Sequence, residues 1–178
     1  MSPPPEPRSG EDAEIEGARS APRSGEDAEI EGARSAPRSG EDAEIESERS
    51  ALEARARAAQ SRAYAPYSKF HVGAAVRMDG KIFDGVNVEN ASYPLSVCAE
   101  RNAIASAVAA GALHLEEVAV ITDASPPSSP CGGCRQVLVE FAKDPRTVTV
   151  TAINPQGERR SWTLAQLLPD SFSGEELP

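Results

Sequence analysis

The sequence has few aromatic residues, few cysteines and histidines, and no long apolar segment. No apolar run approaches the roughly 18–20 residues of a membrane-crossing helix, so we expect no membrane association. The first residues are rich in Pro, Glu and Arg and lack the apolar stretch of a secretory signal, which predicts a cytoplasmic protein. Thiols stay reduced in that compartment, and three cysteines are an odd number, so we expect no set of disulfides.

Positive charge is also scarce, because 18 basic side chains face 28 acidic ones and give a formal net charge of −10. Residues 1–46 contain 13 of the acidic residues and five arginines, whereas the rest of the chain is nearly neutral. Neither part offers the basic face that binds nucleic acid or an anionic membrane. We therefore expect neither of these partners.

The acidic segment is built from a repeat of 15 residues. RSGEDAEIEGARSAP occupies residues 8–22 and recurs unchanged at residues 23–37. The third copy, at residues 38–52, has three substitutions, at Ser47, Glu48 and Leu52. Each copy offers one Ile and a few Ala as apolar surface, which is too little to offset the entropy cost of folding. Residues 1–46 are therefore predicted to form a disordered acidic tail.

The substitutions in the third copy remove the Gly and the Pro that interrupt the earlier copies. Residues 41–63 contain no helix breaker and are rich in Ala, Arg and Glu. They predict a leading helix that begins near Ser39 or at the capping box formed by Ser50 and Glu53. The third copy would merge into this helix, and we expect the folded domain to occupy residues 47–178.

The folded part alternates between strand patterns and helix patterns. Five strands are predicted, at residues 71–78, 81–89, 117–123, 147–153 and 158–164. Helices are predicted at residues 98–112 and 134–142, with a short one in the C-terminal LAQLLP. The order β-β-α-β-α-β-β after a leading helix predicts an α/β fold, a three-layer α/β/α sandwich around one mixed five-stranded sheet.

The three cysteines lie at the starts of two predicted helices. Cys98 opens the first helix, and Cys131 and Cys134 straddle the start of the second. Helix N-termini carry partial positive charge and free N–H groups, which stabilise thiolates. Three thiolates around Zn²⁺ leave its fourth tetrahedral position open, as in catalytic zinc sites. The pattern therefore predicts one catalytic zinc ion per chain.

Two charged residues follow Cys98 in its helix. Glu100 lies in the same first turn, where it could carry protons between water at the metal and a substrate. Arg101 adds positive charge beside Zn²⁺ and its three thiolates, which together carry a net negative charge. We therefore expect Arg101 to tune the acidity of the metal electrostatically.

Other functions are compatible with parts of this pattern. Cys131 and Cys134 alone also fit a disulfide or a thioredoxin-like redox pair, but that interpretation leaves Cys98 and Glu100 without a role. A purely structural zinc site lacks an apparent fourth protein ligand, because the two histidines lie at a strand start and beyond a helix end. A non-catalytic zinc-binding module would have little use for the carboxylate of Glu100.

The motifs resemble those of the zinc-dependent cytidine deaminases. CAER followed about thirty residues later by PCGGCR is similar to the Cys/His-x-Glu and Pro-Cys-x-x-Cys signature of nucleoside and nucleotide deaminases. Four longer stretches resemble the small, homotetrameric, three-cysteine type: AYAPYSKFHVGAA, GVNVENASYPLSVCAER, SPCGGCRQVL and LLPDSF. The resemblance covers residues 47–177 and excludes the repeats.

The resemblance implies a function and a set of site residues. The reaction would be the zinc-dependent hydrolytic deamination of cytidine and deoxycytidine to uridine and deoxyuridine, with release of ammonia, as part of pyrimidine salvage. Cys98, Cys131 and Cys134 would bind the zinc ion, and Glu100 would transfer protons. The enzyme would be a homotetramer whose sites are shared between subunits.

Six further residues would contact the pyrimidine nucleoside. Phe70 would pack on the pyrimidine ring, Asn87 and Glu89 would bind the ribose hydroxyls, the backbone of Ala99 would contact the base, and Tyr93 and Phe172 would reach into a neighbouring subunit's site. An alternative substrate is an aminopyrimidine nucleoside antibiotic such as blasticidin S, although the predicted sugar contacts favour an ordinary ribonucleoside.

Overall fold

The structure is a computed structural model that describes residues 40–174. The described residues belong to one compact unit. Most of the tail predicted from the repeats lies outside the described residues, so the tail and the proposed domain boundary stay predictions. The described helices include no segment that is both long enough and apolar enough to cross a membrane.

The order of the elements matches the predicted β-β-α-β-α-β-β succession after a leading helix. The elements are α1 (Gly40–Gln60), β1 (Gly73–Met78), β2 (Lys81–Val86), α2 (Ala99–Ala109), β3 (Leu115–Ile121), α3 (Gly132–Glu140), β4 (Thr149–Ile153), β5 (Arg159–Thr163) and α4 (Leu164–Leu167). A single 3-10 turn, Tyr93–Leu95, precedes α2. The start of α1 agrees with the prediction near Ser39 and disagrees with a start at Ser50.

The five strands form one mixed sheet with the order β2-β1-β3-β4-β5. β1 pairs antiparallel with β2 and β3, β4 pairs antiparallel with β5, and β3 pairs parallel with β4. A parallel pair needs a crossover connection, and α3 provides it between β3 and β4. The loop that follows β3 therefore leads directly into Cys131 at the start of α3.

Helix α1 covers one face of the sheet. Leu52 and Ala56 of α1 are fully buried against Ala75 of β1 and Ile121 of β3. Leu52 is one of the substitutions that distinguish the third repeat copy, which has Leu where the earlier copies have Pro. The last repeat copy thus supplies part of the hydrophobic core.

Helices α2, α3 and α4 contribute to the core on the opposite face. Because neighbouring residues of a strand point to opposite faces, Ala74 and Val76 of β1 lie on this side while Ala75 lies beneath α1. The main residues of this cluster are Ala74, Val76, Met78, Ala103, Ile104, Ala107, Val118, Val120, Leu138 and Leu164. The two covered faces confirm the predicted three-layer α/β/α sandwich.

Two glycines allow the helices to lie very close to the sheet. A Cβ atom at Gly73 would lie 2.2 Å from the carbonyl oxygen of Ala56 in α1. A Cβ atom at Gly85 would lie 2.4 Å from the carbonyl oxygen of Ala99 and 2.3 Å from the backbone nitrogen of Ala103, both in α2. The contact at Gly85 fixes the first turn of α2, which begins immediately after Cys98.

Ion pairs also attach α1 to the edges of the sheet. Asp84 of β2 accepts a hydrogen bond from Nε of Arg55 at 2.7 Å and a second one from Arg62 just beyond the helix. At the opposite edge, Arg159 of β5 donates two hydrogen bonds to the carboxylate of Glu53, at 2.6 and 2.8 Å. These pairs link α1 to both outer strands of the sheet.

Candidate active site

The three cysteines lie together where α2 and α3 begin. Cys98 is the residue before α2, Cys131 is the residue before α3, and Cys134 lies in the first turn of α3. Their Sγ atoms all lie within 4.8 Å of one another, and those of Cys98 and Cys131 are 3.9 Å apart. All three are free thiols. The structure therefore brings together the three residues predicted to bind a metal.

The spacing of the sulfur atoms fits a zinc ion. Zinc lies about 2.3 Å from each thiolate, which places tetrahedrally arranged sulfurs about 3.8 Å apart. The Sγ atoms of Cys98 and Cys131 already have this separation. A disulfide would require an S–S distance of about 2.0 Å. The clustering of all three sulfurs fits a three-thiolate metal site better than a redox pair of Cys131 and Cys134, because such a pair would leave Cys98 without a role.

The thiols differ strongly in acidity. Hydrogen bonds from Cys134 and from Cys131 lower the pKa of Cys98 to about 6, although burial and the charge of Glu100 oppose this shift. The hydrogen bond with Cys98, together with burial, raises the pKa of Cys134. The directions of the two shifts make Cys98 a stronger acid than Cys134. A bound zinc ion would displace the remaining protons.

Glu100 is a buried carboxylic acid beside the cysteines. Its side chain lies in the first turn of α2, and the residue is 5% exposed. Burial raises the pKa of Glu100, while hydrogen bonds from its own backbone N–H and from Cys134 partly oppose this rise. A carboxyl group that can hold a proton closer to neutral pH is suited to general acid–base catalysis.

A cavity of about 210 Å³ opens next to this cluster. It is lined by Phe70, Val72, Asn87, Cys98, Ala99, Glu100, Val120, Thr122, Ser128, Ser129 and Cys131. Six of these residues were predicted site residues: Phe70, Asn87, Cys98, Ala99, Glu100 and Cys131. The cavity lies at the carboxyl end of β3, an edge at which α/β sheets commonly bind ligands.

Asn87 and Glu89 both contact the chain segment that carries Phe70. Oδ1 of Asn87 accepts a hydrogen bond from the backbone of Val72 at 2.8 Å, and its Nδ2 donates to the carbonyl of Phe70 at 2.8 Å. Glu89 is outside the cavity lining, and its carboxylate binds the backbone of Tyr67. The structure thus places Asn87 in the cavity wall and leaves Glu89 outside the cavity lining, bound to the turn before Phe70.

The remaining predicted residues lie at the surface. Tyr93 is 73% exposed and packs edge-to-face against Tyr67, with ring centroids 6.4 Å apart. Phe172 is 57% exposed, and its carbonyl accepts a hydrogen bond from Gln136 of α3. Arg101 is exposed at the start of α2, and its charge lowers the pKa of Cys98. Neither aromatic ring lines the described cavity of its own chain.

Three polar residues of the cavity wall were not predicted from the sequence. Thr122 is buried at the end of β3, and its Oγ1 accepts a hydrogen bond from the backbone of Ser128 at 3.3 Å. Ser128 and Ser129 belong to the loop between β3 and α3. The position of Thr122 directly after a buried strand was the available signal, because such strand ends often carry ligand-binding residues.

Arg135 was also missed, although it holds the loop that leads to Cys131. Its guanidinium group donates hydrogen bonds to the carbonyl of Pro130 at 2.7 Å, the hydroxyl of Ser129 at 2.8 Å and the carbonyl of Leu167 at 2.8 Å. It thereby connects the metal-site loop with the end of α4. The pattern of the α3 helix carries no signal for these distant contacts.

Comparison with known proteins identifies the family of this fold and site. Residues 46–151 match the family model described as the cytidine and deoxycytidylate deaminase zinc-binding region. The chain belongs to this family. The matched region contains all three clustered cysteines and Glu100, so the thiols that are able to hold a metal lie in a region that binds zinc in the family.

Individual relatives support the same assignment. The chain is 45% identical over 127 residues to a cytidine deaminase of Sporosarcina psychrophila. The aligned region covers 71% of this chain and 92% of that protein. It is 43% identical over 120 residues to a cytidine deaminase of Halalkalibacterium halodurans, which covers 67% of this chain and 89% of that protein.

Solved structures have the same fold. A crystal structure of cytidine deaminase from Burkholderia pseudomallei superposes with a TM-score of 0.65 and 49% identity, covering 69% of this chain and 98% of that one. The cytidine deaminase of Mycobacterium tuberculosis gives a TM-score of 0.59 and 37% identity, covering 69% of this chain and 95% of that one. These matches confirm the resemblance on which the predicted site residues rest.

Proposed function

We propose that this protein catalyses the zinc-dependent hydrolytic deamination of cytidine and deoxycytidine to uridine and deoxyuridine, with release of ammonia. One observation carries the proposal: three free thiols at two helix N-termini lie together beside the buried carboxyl group of Glu100, at one end of a cavity. The relatives of this chain that are described above are cytidine deaminases.

Cys98, Cys131 and Cys134 would hold one Zn²⁺ per chain. When bound there, the ion would supply Lewis acidity for the activation of water. The N-termini of α2 and α3 stabilise the negative charge of the thiolates. Arg101 adds positive charge near Cys98, which limits the loss of acidity that three thiolates would otherwise cause at the metal.

Glu100 is assigned the proton transfers of the reaction. It accepts a proton from the attacking water and delivers it to N3 of the pyrimidine, and it then transfers the remaining proton of the hydroxyl group added at C4 to the amino group at C4. The water oxygen bonds to C4, the bond between C4 and the amino nitrogen breaks, and ammonia leaves. The burial of Glu100 supports this role because it raises the pKa of the carboxyl group.

The cavity wall supplies the substrate contacts. Phe70 would pack on the pyrimidine ring, the backbone of Ala99 would contact the base, and Asn87 and Glu89 would bind ribose hydroxyls. The cavity volume of about 210 Å³ is below the roughly 300–1,000 Å³ of typical ligand pockets, as expected for a small substrate. Thr122 adds a hydroxyl group to the same wall.

We also propose a cytoplasmic homotetramer, active in pyrimidine salvage, whose sites are shared between subunits. The support is the exposure of Tyr93 and Phe172, whose large rings lie outside the lining of the cavity beside the three cysteines. Leu95 and Val88 are exposed in the same region of the chain as Tyr93. Exposed apolar groups of this kind commonly mark a protein interface.

An absorbance assay with the purified full chain tests the function. We expect turnover of cytidine and deoxycytidine with release of ammonia, about one zinc ion per chain, and loss of turnover when a strong chelator removes the metal. Blasticidin S and free cytosine serve as comparison substrates. Zinc-loaded protein that turns over blasticidin S but not cytidine would support the antibiotic deaminase instead, and zinc without any turnover would support a binding module.

A further inference from the structure

Glu89 and Phe70 are connected through one hydroxyl group. Oγ of Ser68 donates a hydrogen bond to Oε1 of Glu89 and accepts one from the backbone N–H of Phe70 at 3.0 Å. Oε2 of Glu89 accepts two further hydrogen bonds, from the backbone of Tyr67 at 2.8 Å and of Ser68 at 3.2 Å. The carboxylate therefore caps the turn that immediately precedes Phe70.

This turn has a backbone that needs external support. Lys69 has a φ of +60°, in the left-handed region that is costly for a residue with a side chain. Its N–H donates to the carbonyl of Ala65 at 3.1 Å, which closes the turn. Because Lys69 lies between Ser68 and Phe70, the direction in which Phe70 leaves the turn depends on this strained conformation.

Asn87 holds Phe70 from the other side. Nδ2 of Asn87 donates to the carbonyl of Phe70, while the N–H of Phe70 is bound through Ser68. Phe70 itself is 38% exposed and belongs to neither hydrophobic cluster of the described residues. The place of its ring in the cavity wall is therefore set by backbone hydrogen bonds and only weakly by side-chain packing.

We propose that Ser68 is a positioning residue and that Glu89, acting through Ser68 and the turn, fixes the ring of Phe70 at the cavity. This role is additional to a ribose contact of Glu89. An ionised carboxylate has about four lone-pair sites, of which the turn uses three, so one remains for a substrate hydroxyl. The proposal rests on the proposed function, because the positioned ring serves the pyrimidine of the substrate.

The first test compares serine variants of the zinc-loaded full chain. Ser68→Ala removes both hydrogen bonds of the hydroxyl, and we expect KM for cytidine to rise about 5- to 30-fold, with a smaller change in kcat. Ser68→Thr keeps a hydroxyl group and should recover most of this loss. Ser61→Ala is the matched control, since the Ser61 hydroxyl binds only the carbonyl of Ala58 among the described residues, and its KM should equal that of the wild type.

The second test separates positioning from sugar binding. Cytidine and 2′,3′-dideoxycytidine are compared for the wild type and Glu89→Gln, with the dideoxy compound measured as a substrate or as a competitive inhibitor. A ribose contact alone predicts that Glu89→Gln weakens only the binding of cytidine. The proposed positioning role predicts that the binding of both compounds weakens at least fivefold. The double variant Ser68→Ala/Glu89→Gln should lose less than the product of the two single losses.

The outcomes distinguish this proposal from the proposed function. Wild-type activity with an unchanged KM in Ser68→Ala would overturn the positioning role alone. Unchanged binding of the dideoxy compound in Glu89→Gln would do the same. A zinc-loaded wild-type protein that releases no ammonia from cytidine would instead overturn the proposed function, and with it the substrate for which Phe70 is positioned.

Discussion

At the scale of single residues, Glu100 is a carboxyl group in a place where ionisation is costly. The residue is buried beside the thiol of Cys134, and burial raises the pKa of its carboxyl group. A buried carboxyl group is unfavourable unless it is hydrogen-bonded, and here its own backbone N–H and Cys134 supply hydrogen bonds. Its location in the wall of the cavity supports the proposed role of Glu100 in proton transfer.

Replacing Glu100 by glutamine tests this assignment. Glu100→Gln keeps the shape of the side chain but removes its ability to accept and release a proton. We expect the deamination rate to fall about 10²- to 10⁴-fold, with zinc content unchanged and the midpoint of thermal unfolding within about 3 °C of the wild type. Activity close to that of the wild type would exclude Glu100 as the proton carrier.

At the scale of the elements, the sequence predicted the type and order of the helices and strands better than it predicted the residues at which they end. The strand predicted at residues 81–89 ends at Val86. Val88 leaves the sheet to pair with Val97, and Asn87 turns towards Val72. These contacts join residues that are distant in the chain, and no local pattern of apolar residues encodes them.

Gly85 shows how an element positions the site. A methyl group at this position would lie 2.4 Å from the carbonyl of Ala99 and would push α2 away from β2. We expect Gly85→Ala to lower the free energy of unfolding by about 1–3 kcal/mol and to weaken zinc binding, because Cys98 precedes the displaced turn. Chemical denaturation and metal titration measure the two effects. Gly40→Ala is the control, since nothing described lies within 4 Å of that position.

The ion pairs of Asp84 should make the attachment of α1 to the sheet depend on pH. Burial alone would raise the pKa of Asp84, but hydrogen bonds and charges from Arg55 and Arg62 lower it overall. The unfolded pKa is about 3.9, so the stabilising contribution is present above this value and is lost as the pH falls through the lower folded pKa. We expect Asp84→Asn to cost about 1–2 kcal/mol at pH 7.

The same comparison at low pH provides the check. The difference in unfolding free energy between the wild type and Asp84→Asn should shrink steadily as the pH falls below about 4. A difference that stays constant from pH 7 to pH 3 would show that the substitution acts through packing rather than through the ion pairs.

At the scale of the whole molecule, about half of the residues around the cavity were predictable from local motifs, and contacts between distant elements were not. Cys98, Glu100 and Cys131 could be predicted because the local motifs carry them. The hydrogen bonds of Arg135 to Pro130 and Leu167 could not, since they depend on how α3 and α4 pack. Whether Tyr93 and Phe172 serve a neighbouring site depends on contacts between chains, which the sequence of one chain does not specify.

Mixing two inactive variants tests the shared site. Phe172→Ala chains would keep Glu100, and Glu100→Gln chains would keep Phe172. If Phe172 completes the site of a neighbour, co-expressed chains should regain part of the lost activity, since some sites then combine both intact residues. Each variant alone should stay impaired. Co-expressed chains with no more activity than the sum of the separate variants would assign Phe172 to its own chain.

The burial of Leu52 has a consequence for a chain that contains nearly identical segments. An earlier repeat copy could in principle pack on the sheet in place of the third copy, with the chain shifted by 15 residues. The corresponding positions of the earlier copies are Pro22 and Pro37, and a proline inside a helix costs about 3 kcal/mol or more. The last copy is therefore the one suited to form the part of α1 that packs on the sheet. The number of upstream copies could thus change without providing a segment that competes with the third copy for its place in α1.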